Sequence, residues 1–100
     1  MWILKSDAAA ANNDDTTFRL MPGAVKTLGR ATRADFVVDA ALVSRLHCRF
    51  TALESGELEI EDLRSTTGTF VNDRRVVRPP LASGDRVRVG RVELKVERGN

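Results

Sequence analysis

The sequence predicts an all-β domain of the sandwich or barrel type. Seven or more short strand-like runs occur in 100 residues, Gly, Pro, Asp, Asn or Ser bounds each of them, and no segment has an amphipathic helical period. Taken in order, Trp2-Ile3-Leu4 is the first apolar run. Asp7 to Ala11 carries four alanines but no amphipathic face, and it runs into Asn12-Asn13-Asp14-Asp15. Residues 7–16 are therefore expected to form a loop. Phe18-Arg19-Leu20, a run ending at Leu28, Phe36-Val37-Val38 and His47 to Leu53 follow as strands. Glu57 to Glu61 alternates, with Leu58 and Ile60 on one face and three glutamates on the other. Thr69-Phe70-Val71 is the next run, and Pro79-Pro80 marks a loop or edge, since proline cannot donate to a ladder. Arg86 to Val89 and Val92 to Glu97 alternate apolar with charged, separated by Gly90-Arg91, which fits a tight hairpin turn of the primed class. Arg98-Gly99-Asn100 reads as a frayed end or the start of a linker.

Composition narrows the function classes. One hundred residues make a single domain, expected over 1–100 with its core at about 18–97. No apolar run reaches the roughly 18–20 residues of a membrane helix, so no membrane association is expected. The single cysteine, Cys48, follows His47 in a strand-like run and is expected to be buried; no metal and no cofactor are expected. Of 16 basic residues only Lys5, Lys26 and Lys95 are lysines, leaving 13 arginines. GC-rich codon use gives the same excess, so arginine content alone identifies nothing. The net charge of +2 is too balanced for a duplex-coating protein. Trp2, Phe18, Phe36, Phe50 and Phe70 all sit in strand-like runs and are assigned to the core, while Glu54, Glu57, Glu59, Glu61 and Asp62 are assigned to a solubilising patch.

Three short motifs are not explained by strand patterning: Gly29-Arg30, Ser44-Arg45-Leu46-His47, and Ser65-Thr66-Thr67-Gly68-Thr69, which leads into Phe70-Val71-Asn72-Asp73. All lie at strand ends, where a sandwich gathers its loops. Arginine forks, small hydroxyls and backbone N–H groups beside glycine are donors suited to a phosphate. No carboxylate lies within the three motifs to serve as a general base. Capture is better supported than turnover, and Ser44 with His47 lacks the orienting acid a hydrolase needs. The chain is not expected to be an enzyme.

The ordered set of Gly29-Arg30, Asp35 to Asp39, Val43 to His47 and Ser65 to Asn72, with the Leu81-x-x-Gly84-Asp85 turn and the final hairpin, resembles the forkhead-associated (FHA) domain family from about Phe18 to Glu97. The resemblance implies a two-sheet sandwich of about 11 strands that binds phosphothreonine peptides through loops at one end. By position, Arg30 and Ser44 would bind the phosphate, Arg45 would assist, and Thr66 matches the family's hydroxyl that also reaches it. Gly29, His47, Gly68, Thr69 and Asn72 would brace the loops. Thr67 stands where the family commonly has an asparagine that contacts the peptide main chain. Asp73 stands where glycine is usual, in a turn that Asp tolerates.

A narrower resemblance, carried by Met1 to Leu4 and by Gly68 to Asn72, is to the nibrin family of DNA-break-sensing proteins. It implies a monomeric adaptor within a longer nuclear protein, otherwise an intracellular one, recognising Ser/Thr-Asp motifs of damage-response partners in double-strand-break signalling and repair. The alternative of another class is a nucleic-acid-binding β domain using Arg74, Arg75, Arg78, Arg86, Arg88 and Arg91. The chain has no tyrosine to provide a stacking platform, and these arginines are more simply solvated strand faces, so nucleic acid is not expected as the direct partner.

Overall fold

Period-two alternation becomes two sheets packed face to face in a computed structural model that describes residues 1–6 and 17–99. The loop expected at residues 7–16 and the final Asn100 lie outside the described residues. The 11 strands are β1 (Trp2–Ser6), β2 (Thr17–Leu20), β3 (Val25–Gly29), β4 (Phe36–Val37), β5 (Cys48–Ala52), β6 (Leu58–Asp62), β7 (Thr69–Val71), β8 (Arg74–Val76), β9 (Pro80–Leu81), β10 (Arg86–Val89) and β11 (Val92–Arg98). One sheet orders six of them as β2-β1-β11-β10-β7-β8; the other orders five as β4-β3-β5-β6-β9. Every pairing is antiparallel except β3 with β4.

The inward residues follow from the alternation. Val87, Val89, Val92, Leu94 and Val96 face Leu28, Phe50, Leu58 and Ile60 across the sandwich, all with no exposed area. Fully burying each such side chain stabilises by roughly 1.5–3 kcal/mol before chain entropy is charged against it. Trp2 and Leu4 join this core from β1, and the Trp2 indole N–H donates to the Gly56 carbonyl at 3.2 Å. Phe18 stacks on Phe36 with ring centroids 4.4 Å apart.

Turn chemistry sets the register. The β10–β11 hairpin has two loop residues, Gly90-Arg91, between the Val89–Val92 pair, and Gly90 has φ +59°. Among the described residues Arg91 is not one of those with positive φ, so the turn is type II′, in the expected primed class. Asn72 (φ +51°) and Asp73 (φ +68°) form the β7–β8 turn in the left-handed region that Asn and Asp tolerate. Pro80 lies in β9 at the edge of its sheet, the position open to a residue without an N–H.

One aromatic assignment is corrected. Phe70 lies between the inward Thr69 and Val71, so it points outward. It is half-buried there because the Arg88 guanidinium lies over its ring at 4.4 Å. β8 is a short edge strand with two exposed arginines, and its weak apolar pattern gave no strand signal.

Candidate functional site

The register brings the three singled-out motifs to one end of the sandwich. Leu28 pairs with Cys48 and Cys48 with Asp62, so β3 and β6 end, and β5 begins, at the same level. In the other sheet Val89 pairs with Thr69, placing the start of β7 and the β10–β11 turn together. The loops leaving these strands enclose an open cleft of about 290 Å³. Arg30, Ser44, Arg45, Thr66 and Thr67 line it, with Leu42 and Val43 supplying the apolar part.

Backbone hydrogen bonds weld the first two motifs together. The Arg30 N–H donates to the Ser44 carbonyl at 2.9 Å, Ala31 to Arg45 at 3.1 Å, and His47 to Leu28 at 2.8 Å. Gly29 is required by this close approach, because a Cβ there would stand 2.0 Å from the Arg45 carbonyl oxygen. The segment after Arg30 is tied back by Asp35, whose carboxylate accepts the Thr27 backbone N–H at 2.9 Å and the Thr27 hydroxyl at 3.1 Å. The backbone hydrogen bond from Thr27 leads in holding the Asp35 carboxyl below its usual range.

Beneath the rim lies a buried polar floor. His47 has no exposed area; its Nδ1 accepts the Ser44 N–H at 3.0 Å, so Nε2 carries the proton and donates to the Gly68 carbonyl at 2.8 Å. One imidazole thereby joins the second motif to the third. Asp62 does the same work inside the third: it accepts the Ser65 hydroxyl, the Ser65 N–H at 3.3 Å and the Thr69 hydroxyl at 2.7 Å. Burial pushes the Asp62 carboxyl up, but these hydrogen bonds, led by the Ser65 hydroxyl, hold it below the usual value overall. Ser65 Oγ also accepts the Gly68 N–H at 3.0 Å, and Gly68 sits at φ +94°, a conformation that favours glycine.

The rim is built differently. Ser44 Oγ accepts the Thr66 N–H at 2.9 Å, which orients the oxygen and leaves its hydroxyl hydrogen available. Among the described residues, neither Arg30 nor Arg45 has an ion-pair partner for its guanidinium. The Thr67 hydroxyl donates to the Leu42 carbonyl at 2.9 Å. Leu42 is half exposed and holds φ +70°, a conformation that costs a residue with a Cβ about 1–2 kcal/mol. The cleft is thus a concentration of positive charge and oriented donors, with no carboxylate among the described residues that line it, a set suited to hold an anion. Among the described residues no cluster of His, Cys, Asp and Glu is placed to hold a metal ion.

Comparison with known proteins gives this geometry a family. The sequence profile of the FHA domain matches residues 26–90, which spans every cleft-lining residue. The chain belongs to the FHA domain family.

This FHA domain is 44% identical over 78 residues to the ABC transporter ATP-binding/permease protein Rv1747 of Mycobacterium tuberculosis, a stretch that is 78% of the chain and 9% of the transporter. It is 37% identical over 75 residues to the glycogen accumulation regulator GarA of the same species, covering 75% of the chain and 46% of GarA. The chain therefore spans less than half of either curated relative. A solved structure from work on phosphothreonine-dependent FHA domain interactions superposes with a TM-score of 0.86 at 30% identity, covering 99% of this chain and 97% of that one.

Three sequence expectations change, and one cleft residue had no sequence signal. Asn72 does not brace the cleft: β7 carries it to the opposite end, about 10 Å away, where its side chain bonds Asp85 and the Arg86 N–H, each at 3.0 Å. Asp62 is no solubilising charge but a brace of the floor; the signal that could have found it is its spacing of three residues to Ser65 and seven to Thr69. Leu42 was missed because nothing in its local sequence marks a left-handed residue. The nibrin resemblance gains no support: the matching relatives include bacterial regulators, and the solved Nbs1–Ctp1 complex of S. pombe, at 20% identity and TM-score 0.80, shares the fold alone. The remaining expected residues, Gly29, Arg30, Ser44, Arg45, His47, Thr66, Thr67, Gly68 and Thr69, all stand at the cleft or directly beneath it. Of the C-terminal arginines none lines the cleft among the described residues: Arg88 covers Phe70, Arg86 faces Glu93 at 3.9 Å, and the Arg75 guanidinium packs against Gly68 from outside, where a Cβ would stand 2.9 Å from its Nε.

Proposed function

We propose that this FHA domain is a phosphothreonine-binding module that recruits phosphorylated protein segments. The observation that carries the reading is the cleft itself, lined by Arg30 and Arg45, which have no ion-pair partner among the described residues, and by a Ser44 hydroxyl oriented by the Thr66 N–H. In this reading Arg30 forks onto the phosphate, Ser44 donates its hydroxyl, Thr66 adds a second hydroxyl, and Arg45 completes the neutralisation of a group carrying about −1.5 to −2 charge. The chain binds and does not turn over its ligand, because His47 spends both ring nitrogens on backbone groups of the floor and has none left to activate Ser44. The phosphothreonine-dependent interactions of the solved relative support the choice of phosphoresidue, and GarA places a relative among regulators. A role in damage-response signalling has no support among these relatives.

Calorimetric titration tests it. A phosphothreonine peptide should bind and its unphosphorylated form should not. Arg30→Ala should weaken binding by roughly 10- to 150-fold, the value of about 1.5–3 kcal/mol for a charge-assisted contact. Full affinity in a folded Arg30→Ala variant, or equal affinity for the unphosphorylated peptide, would overturn the assignment.

A further inference from the structure

We propose that the outer face of the six-stranded sheet is a second docking surface, which takes an acidic polypeptide segment. It is separate from the cleft and does not depend on what the cleft holds. Strand register builds it. Outward positions alternate with the inward valines and leucines, so Arg86 of β10, Lys95 of β11 and Lys5 of β1 stand side by side in one cross-strand row. The row nearer the cleft holds Arg75, Phe70, Arg88 and Glu93, and the row farther from it Glu97, Ile3 and Arg19. These rows present six cations against two carboxylates, in a chain whose overall charge is only +2. The outer face of the five-stranded sheet shows no such excess, since its ladders place Arg49 beside Glu59 and Glu61.

Like charges directly opposite one another across a ladder are destabilising. Here Lys5 faces Lys95 and Lys95 faces Arg86, and the carboxylates relieve this only in part: Glu97 lies 3.1 Å from Lys5 and 3.9 Å from Lys95, and Glu93 lies 3.9 Å from Arg86. Among the described residues Arg19, Arg75 and Arg88 have no ion-pair partner. The Arg88 Nε is buried without a hydrogen-bond partner where the guanidinium lies over the Phe70 ring, a packing that fixes this fork ahead of any ligand.

The chemistry of the face selects its partner. None of the large exposed apolar residues, Met21, Val25, Val37, Leu42 and Val77, lies in a strand of this sheet, so the face offers nothing to a bilayer interior. Its one outward aromatic, Phe70, is covered by Arg88 and has no free ring face for a base. Glu93 and Glu97 stand among the cations and repel the unbroken phosphates of a duplex, whereas a polypeptide sets its carboxylates on the cations and leaves neutral or basic side chains opposite the glutamates. The strip also reaches the cleft, because the Arg75 guanidinium packs behind Gly68. A polypeptide leaving the cleft on that side meets Arg75 first, then Arg88 and Arg86.

The test is fluorescence anisotropy at low salt with a short glutamate-rich peptide that carries no phosphate, beside the same peptide with glutamine at every glutamate. The glutamate peptide should bind and the glutamine peptide should not. Arg86→Gln with Lys95→Gln, which dissolves the like-charge row and so does not endanger folding, should weaken binding by about fivefold or more. Glu93→Gln with Glu97→Gln should tighten it by about the same factor, a gain that misfolding cannot produce. Arg30→Ala should leave it unchanged, which separates this surface from the cleft and keeps the result independent of the phosphothreonine reading. An affinity that either double variant leaves unmoved, or that Arg30→Ala abolishes, would overturn the proposal. So would a DNA oligonucleotide or a phosphatidylserine vesicle that binds this face more tightly than the glutamate peptide at the same salt.

Discussion

The floor and the rim of the cleft are a few ångströms apart and obey opposite rules. In the floor, His47 and Thr69 have no exposed area, Asp62 and Ser65 complete the network, and their polar groups meet partners in the protein. At the rim, Arg30, Arg45 and Thr66 are exposed and Ser44 has an unspent hydroxyl hydrogen. A buried polar group without a partner costs stability, so the floor must be complete in the free protein; a rim completed in the same way would have nothing left to offer a ligand. Stability and binding should therefore separate between the two layers under mutation.

The sharpest break should come from His47→Ala. It strands the Ser44 N–H and the Gly68 carbonyl and leaves a cavity, which together cost about 3 kcal/mol or more and lower the thermal midpoint by roughly 12 °C or more, readable by calorimetry. Arg30→Ala should do the reverse: affinity is lost while the midpoint moves by less than about 2 °C, within the range of exposed substitutions. A midpoint drop comparable to that of His47→Ala would erase the distinction between the layers.

Asp62→Asn sharpens the comparison from the floor side. It should cost about 1.5–3 kcal/mol at neutral pH by weakening hydrogen bonds to a charged acceptor. Because the folded carboxyl lies below its unfolded value, its contribution is present above about pH 4 and is lost as pH falls through the lowered folded value. Chemical denaturation against pH should show the gap between wild type and Asp62→Asn closing below about pH 4, and a gap constant down to the acid limit would contradict the assignment. The smallest effect is expected of Thr67→Val, which keeps shape but removes the donor to the Leu42 carbonyl. It should cost about 0.5–1.5 kcal/mol by denaturant titration.

The same division explains what the sequence made legible. Rim residues advertise themselves: Arg30, Ser44 and Thr66 are polar groups at strand ends that alternation leaves unexplained, and they occur in short ordered motifs. Strands with strict alternation, such as β6, β10 and β11, were equally readable. Floor residues were harder. Asp62 follows three glutamates in a strand-like run, and only the fold reveals that it turns toward Ser65 and Thr69 while Glu61, on the other face and half-buried, pairs with Arg49. Phe70 was misplaced because an aromatic between two inward residues is covered by Arg88, a contact made across β7 and β10 that no local pattern encodes. Asn72 was misassigned because three residues of strand carry it to the other end.

The most direct test of a phosphate-holding rim on a prebuilt floor is amide shift mapping by NMR with a phosphothreonine peptide. Perturbations should concentrate at Arg30, Ser44, Arg45 and Thr66, the unphosphorylated peptide should produce none of them, and Arg74 in its edge strand and Arg86 and Arg88 on the outer sheet face should stay unmoved. Perturbations centred on that arginine face, or at the cleft without dependence on the phosphate, would contradict a phosphate-holding rim.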